Sequence, residues 1–238
     1  LKEGDVVGER FELEGLLGEG GMASVFVARD RLLGGRVALK VIHDASLEAR
    51  ERFVREAEVL AGLEDPGIVR YVAHGAPPDG SLYLAMELLD GEDLSCKLAR
   101  GPLDVDATLA LAEKVAAALS AAHARGVVHR DIKPANLFLV GGDVRQVRLL
   151  DFGIARVHAG RSLTLAGSTL GTPDYMAPEQ ARGEAALTPA VDVFSLGCVL
   201  FECLVGRPPF VADHPLAVLT RIVLEEAPSV SSLRDDVP

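Results

Sequence analysis

Through residues 11–87 apolar side chains recur with the short period of extended chain. Phe11, Leu13 and Leu16 precede a glycine cluster, and Val25 and Val27 then alternate with smaller residues. Successive side chains of a strand point to opposite faces, so this is the pattern of half-buried strands. Val37-Ala38-Leu39-Lys40-Val41 predicts another strand, apolar but for one charge. Ser46 can cap a helix in which Phe53, Ala57, Leu60 and Ala61 share one face. Glu56 falls on the edge of that stripe and Pro66 closes the segment. Two more strands are expected at Ile68 to Ala73 and Ser81 to Glu87, separated by the turn-forming Pro77-Pro78-Asp79-Gly80.

After Leu88-Leu89-Asp90-Gly91 the period lengthens to that of helices. Asp104 to Ala124 is rich in Ala and Leu, with Ala112, Val115, Leu119 and Ala122 as its core face and Gly126 at its end. Val191 to Val205 is apolar nearly all round, which predicts a helix buried at the centre of a domain. Pro215 to Glu226 is a weaker amphipathic helix. No internal repeat and no low-complexity tract interrupts the series. The expected layout is a strand-rich part at about 11–87, a connector at 88–91 and a helical part at 92–238.

Composition narrows the picture little. The 238 residues suit one large domain or two small ones, and 49% hydrophobic residues with mean hydropathy +0.24 permit a sizeable core. A net charge of −11 and a pI near 5.0 argue against general binding to nucleic acid or anionic membrane. Cys96, Cys198 and Cys203 form neither a metal spacing nor an even disulfide set, so a reducing, cytoplasmic setting is expected. The longest apolar stretch, Val191 to Val205, is broken by Asp192, Ser195 and Glu202 and falls short of a bilayer span. No signal peptide is visible, and a start at Leu1 rather than Met points to a fragment whose parent protein could be anchored elsewhere.

Chemistry concentrates in three places. Gly18-Glu19-Gly20-Gly21-Met22-Ala23-Ser24-Val25 can bring backbone N–H groups close to phosphate oxygens. A dinucleotide fingerprint needs a helix next, whereas Val25 and Val27 continue as a strand. Lys40, inside an apolar strand, must snorkel, pair or meet a ligand, because an unpaired buried ammonium is costly. The third place is His129-Arg130-Asp131-Ile132-Lys133-Pro134-Ala135-Asn136, followed by Asp151-Phe152-Gly153. It combines a potential proton acceptor, a cation and two hard-oxygen ligands, a set suited to phosphoryl transfer from a nucleotide.

On these motifs the chain resembles the eukaryotic-type protein kinases, and more narrowly their bacterial serine/threonine branch. The resemblance covers the chain from about Phe11 to its end. It implies an α+β bilobal fold: a small N-terminal antiparallel sheet lobe with one helix, and a larger, mainly helical C-terminal lobe. It also implies transfer of the γ-phosphoryl group of ATP, with Mg2+, to Ser or Thr hydroxyls of protein substrates. Asp131 would accept the hydroxyl proton or orient the hydroxyl, and Lys133 would neutralise charge on the transferring group. Asn136 and Asp151 would hold magnesium. Lys40 would meet the α- and β-phosphates with Glu56 as its partner, beneath Gly18 and Gly20. Leu17, Val25, Ala38 and Phe138 would sandwich adenine, with Met86 as gatekeeper. The Glu87 carbonyl and Leu89 amide would bond to the ring, and Asp93 to the ribose.

The same likeness extends to regulation and scaffolding. Arg130 would take a phosphate placed by autophosphorylation at Ser168 or Thr169, which implies self-association, and Thr172 would bridge Asp131 and Lys133. His129 is expected to pack with Phe152, Leu60 and Tyr71 rather than act as a base, and Asp192 to bond the backbone of the His129-Arg130 turn. Three departures stand out: Ala23 in place of a glycine, the bulky Phe138, and a C-terminal lobe whose last helices are missing. With them goes the arginine that pairs with Glu179 in the family, so residues 1–238 alone are expected to be unstable or inactive. A pseudokinase would lack Lys40, Asp131 or Asp151, and a small-molecule kinase would lack the segment Thr172 to Glu179; all are present.

Overall fold

The structure is a computed structural model that describes residues 1–20, 23–42, 53–54, 57–77, 82–152 and 173–237. The chain divides after Asp90 into two compact units.

In the first unit, period-two patterning becomes a six-stranded antiparallel sheet ordered β1-β2-β3-β4-β6-β5. Its strands are β1 (Val6–Val7), β2 (Phe11–Glu19), β3 (Ala23–Asp30), β4 (Arg36–Ile42), β5 (Tyr71–Gly75) and β6 (Leu82–Glu87). One face buries Phe11, Leu13, Phe26, Ala28, Val37, Leu39 and Val41 as a common core. The alternate residues Val25, Val27, Ala38 and Lys40 are half-buried on the other face. Residues 53–54 and 57–61 are helical; Phe53, Ala57 and Leu60 of the predicted stripe are buried, whereas Ala61, at the end of the helix, is exposed.

Two features lock the sheet. The Arg10 guanidinium makes paired bonds of 2.8 and 2.6 Å to the buried Asp30 carboxylate, which also accepts from the Leu32 and Leu33 amides. Those donors hold the Asp30 carboxyl down at about 2. Tyr83 lies across Gly75, its ladder partner, so closely that a Cβ there would sit 2.6 Å from the ring. The expected strand at Ile68 to Ala73 is shifted to Tyr71–Gly75. Asp65 turns the chain first, its side chain accepting from the Gly67 amide and its carbonyl from the Ile68 amide.

The second unit carries a three-stranded sheet, β7 (Gly91–Asp93), β8 (Leu137–Val140) and β9 (Val147–Leu149), ordered β7-β8-β9. Its helices are α1 (Leu94–Leu98), α2 (Val105–His123), α3 (Pro178–Ala181), α4 (Ala190–Val205) and α5 (Pro215–Leu224). Short 3-10 turns occupy Pro134–Asn136, Pro173–Tyr175 and Val230–Ser232. Asp104 caps α2 through the Ala107 amide, as a short acceptor before an apolar run should. The buried face of α2 is Thr108, Leu111, Val115, Ala118, Leu119 and Ala122, so Leu111 rather than Ala112 takes the core position. A leucine buries more apolar area than its alanine neighbour, and that sets the rotation of the helix.

α4 is buried on most of its circumference, but Val193 is 65% exposed, so it is not enclosed all round as its composition suggested. β7, β8, β9 and α1 were not foreseen, being too short for periodicity to reveal. Gly91 lets β7 approach β8, since a Cβ there would lie 2.1 Å from the Leu139 carbonyl oxygen. Near the end of the described chain, Arg234 donates to the Leu103 and Leu204 carbonyls and so clips that segment to the end of α4.

Candidate active site

The loop 129–136 is held from three directions. Asp192, fully buried in the first turn of α4, accepts from the His129 and Arg130 amides at 2.8 Å each, as expected. It also pairs at 2.7 Å with the His123 ring at the end of α2, a contact the sequence reading did not include. A buried carboxylate is tolerable only when so supplied with donors. His129 is itself fully buried, and burial pushes its imidazole pKa down. Its Nε2 contacts the Leu150 carbonyl at 2.8 Å, and the Asp131 amide donates to its Nδ1 at 3.3 Å. That pattern selects the neutral ring with the proton on Nε2. The ring packs 4.5 Å from that of Phe152, one of its expected partners, so His129 is part of the scaffold.

On this support the chemically useful groups converge. The Lys133 ammonium donates to Asp131 Oδ2 at 2.9 Å. Asn136, 6% exposed, donates through Nδ2 to the Asp131 carbonyl at 2.7 Å and to Asp131 Oδ2 at 3.0 Å. With Nδ2 so engaged, the oxygen Oδ1 is the end of Asn136 suited to a hard cation. Asn136 immediately precedes β8 and Asp151 lies two residues beyond β9; Leu137 pairs with Leu149 and the Leu150 amide donates to the Asn136 carbonyl. The hairpin thus brings both to the same end of one small sheet. Arg130 and Asp151 have φ of +65° and +51°, left-handed conformations that non-glycine residues adopt at a cost of about 1–3 kcal/mol. Such outliers cluster at functional sites. Among the described residues no three His, Cys, Asp or Glu side chains gather as a metal cage. An amide oxygen and a carboxylate suit a magnesium ion that keeps water and phosphate as its other ligands.

In the first unit the ladder aligns the expected nucleotide residues in two rows. Gly18, Val25, Lys40 and Leu84 are successive register partners across β2, β3, β4 and β6. Val27, Ala38 and Met86 form the next row, Met86 being buried. Gly20 donates its amide to the Ala23 carbonyl at 2.8 Å, linking the end of β2 to the start of β3. Leu17 is 54% exposed. Glu87 donates its amide to the Arg70 carbonyl, and its carboxylate accepts from the Arg70 amide. Leu89 is half-buried in the connector.

Asp93 and Phe138 are register partners in β7 and β8. The Asp93 carboxylate caps α1, accepting from the Cys96 amide and the Ser95 hydroxyl, so it has a structural duty the sequence reading did not include. Glu56, Ser168, Thr169 and Thr172 lie outside the described residues. Glu179 forms no ion pair among the described residues. Gln180 was also not foreseen: its Nε2 donates to the Arg130 carbonyl at 3.0 Å. Pro178 at the first helical position and Gln180 at the third are a legible helix start, but nothing local signals a bond to a residue fifty positions away.

Comparison with known proteins agrees with this geometry. The protein kinase domain model matches residues 11–233. The chain is 42% identical to the DNA damage-responsive serine/threonine-protein kinase RqkA of Deinococcus radiodurans, over all of this chain and 36% of that protein. It is 41% identical to the serine/threonine-protein kinase PknB of Mycolicibacterium smegmatis, over 96% of this chain and 38% of that protein. It therefore spans little more than a third of the length of these relatives. A crystal structure of Rad53 1–466 in complex with AMP-PNP superposes with TM-score 0.73 at 30% identity, covering 90% of this chain and 53% of that one. The sheet unit, the helical unit and the loop that carries Asp131 are thus those of the α+β protein kinase fold, and the chain belongs to the protein kinase domain family, in its bacterial serine/threonine branch.

Proposed function

We propose that this domain transfers the γ-phosphoryl group of ATP to serine or threonine hydroxyls of protein substrates. The observation that carries the proposal is the convergence of Lys133 and Asn136 on the Asp131 carboxylate, on a loop anchored by Asp192. The substrate hydroxyl oxygen forms a bond to the γ-phosphorus, the bond from that phosphorus to the ADP oxygen breaks, and the hydroxyl proton passes to Asp131. Lys133 offsets the negative charge on the transferring group. Asn136 Oδ1 and Asp151 hold a magnesium ion, which when bound neutralises phosphate charge.

Lys40 binds the α- and β-phosphates, with Glu56 as its partner, and Gly18 and Gly20 give them backbone donors. Leu17, Val25, Ala38, Met86 and Phe138 take the adenine face. The Glu87 carbonyl and Leu89 amide take its edge, and Asp93 takes the ribose while capping α1. Phosphorylation at Ser168 or Thr169, by a second copy of the chain, supplies a phosphate for Arg130, and Thr172 links Asp131 to Lys133.

The test is transfer of label from γ-labelled ATP to a protein acceptor by the wild type, Lys40→Met and Asp131→Asn. Loss of labelling in both variants is expected, and equal labelling in all three samples would exclude the catalytic assignment. Mass spectrometry of active protein should find phosphate on Ser168 or Thr169; both side chains unmodified would reject the regulatory part.

A further inference from the structure

The peptide joining Arg130 to Asp131 is gripped at both ends by side chains. Its N–H, on Asp131, donates to His129 Nδ1 at 3.3 Å, and its carbonyl, on Arg130, accepts from Gln180 Nε2 at 3.0 Å. One residue earlier, the Arg130 amide is held by Asp192. Arg130 sits in the left-handed region at φ +65°, a conformation that persists only where its surroundings enforce it. The plane of this peptide sets the direction in which the Asp131 side chain leaves the backbone.

Gln180 is itself oriented without ambiguity. Its Oε1 accepts from the Ala177 amide at 3.1 Å at the start of α3, so Nε2 is the end that faces the Arg130 carbonyl. The residue therefore has two separable duties: an acceptor that caps a helix and a donor that orients a peptide.

We infer that Gln180 is a positioning residue for Asp131, acting through the Arg130 carbonyl. The inference rests on the reading of Asp131 as the proton acceptor. Gln180 ties α3 directly to the peptide that carries the reactive carboxylate. Two substitutions separate its duties. Gln180→Glu keeps the acceptor for the Ala177 amide but replaces the donor with an oxygen that repels the Arg130 carbonyl. Gln180→Met removes both while keeping length and flexibility.

The experiment measures kcat, KM for ATP and thermal midpoint for the protein that carries this domain, with Asp131→Asn alongside. Gln180→Glu and Gln180→Met are each expected to lose about 5- to 10-fold in kcat, the worth of one oriented hydrogen bond. KM for ATP should move less than about twofold, and the midpoint of Gln180→Glu should stay within about 2 °C of wild type. A wild-type kcat in Gln180→Glu beside an inactive Asp131→Asn overturns this inference alone. So does a kcat loss matched by a fall in thermal midpoint in both variants. Full activity in Asp131→Asn instead overturns the reading on which the inference rests.

Discussion

The two units present their expected site residues by different physical means. In the sheet of the first unit, Val25, Ala38 and Lys40 are placed by main-chain ladders, and period two alone puts them on one face. In the second unit, Asp131 is placed by side chains: Asp192 on two amides, His129 on a third, Gln180 and Asn136 on carbonyls. A residue held by a ladder can be exchanged without moving its neighbours, because the backbone bonds survive the exchange. A residue held by side-chain tethers cannot, since each tether is a single point of failure. The contrast predicts that substitutions in the sheet separate activity from stability, whereas loss of the buried Asp192 anchor beneath the loop costs both.

The strongest attempt to break this contrast is Asp192→Ala. It leaves the His129 and Arg130 amides and the His123 ring without their acceptor, and should destabilise by about 3–5 kcal/mol and abolish measurable phosphoryl transfer. Chemical denaturation and label transfer read the two effects; a stable, active variant would remove the basis of the comparison. Lys40→Met is the opposite case. Its strand keeps every ladder bond, so activity should fall by about 100-fold or more while the thermal midpoint moves less than about 2 °C.

Acid sharpens the comparison within the sheet unit. Asp30 titrates at about 2 when folded, against an ordinary value of 3.8. Its depressed pKa contributes stability that is fully present above about pH 4 and is lost as pH falls toward about 2, roughly 2 kcal/mol in all. Asp30→Asn should flatten that part of the denaturation-versus-pH curve, and an unchanged curve would contradict the assignment. The smallest effect is expected from Gly75→Ala, whose Cβ would meet the Tyr83 ring at 2.6 Å. Overpacking should cost about 1–2 kcal/mol by thermal melting, with kcat unchanged, because β5 forms the edge of the sheet beyond β6.

Legibility in the sequence followed the same division. The strands β2, β3, β4 and β6 and the helices α2, α4 and α5 could be read because long periodic segments carry many concordant signals. The reactive set was readable too, since Asp131, Lys133 and Asn136 lie within one short loop and the β8–β9 hairpin returns the chain to Asp151. The hairpin itself was not, its strands being only four and three residues long. Nor was the double duty of Asp93, because a carboxylate before a helix and a carboxylate near a ligand look alike in one dimension.

From the chain alone came the identity of the chemical groups and the faces of the periodic elements, because spacing and side-chain type are local properties. Only the folded molecule decided which peptide each tether grips. Gln180 and Arg130 lie fifty residues apart, and Asp192 lies more than sixty from the loop it holds. A hydrogen bond requires its partners within about 3.5 Å in a definite direction. No periodicity encodes that condition between distant residues; the packing of α2, α3 and α4 around the loop creates it.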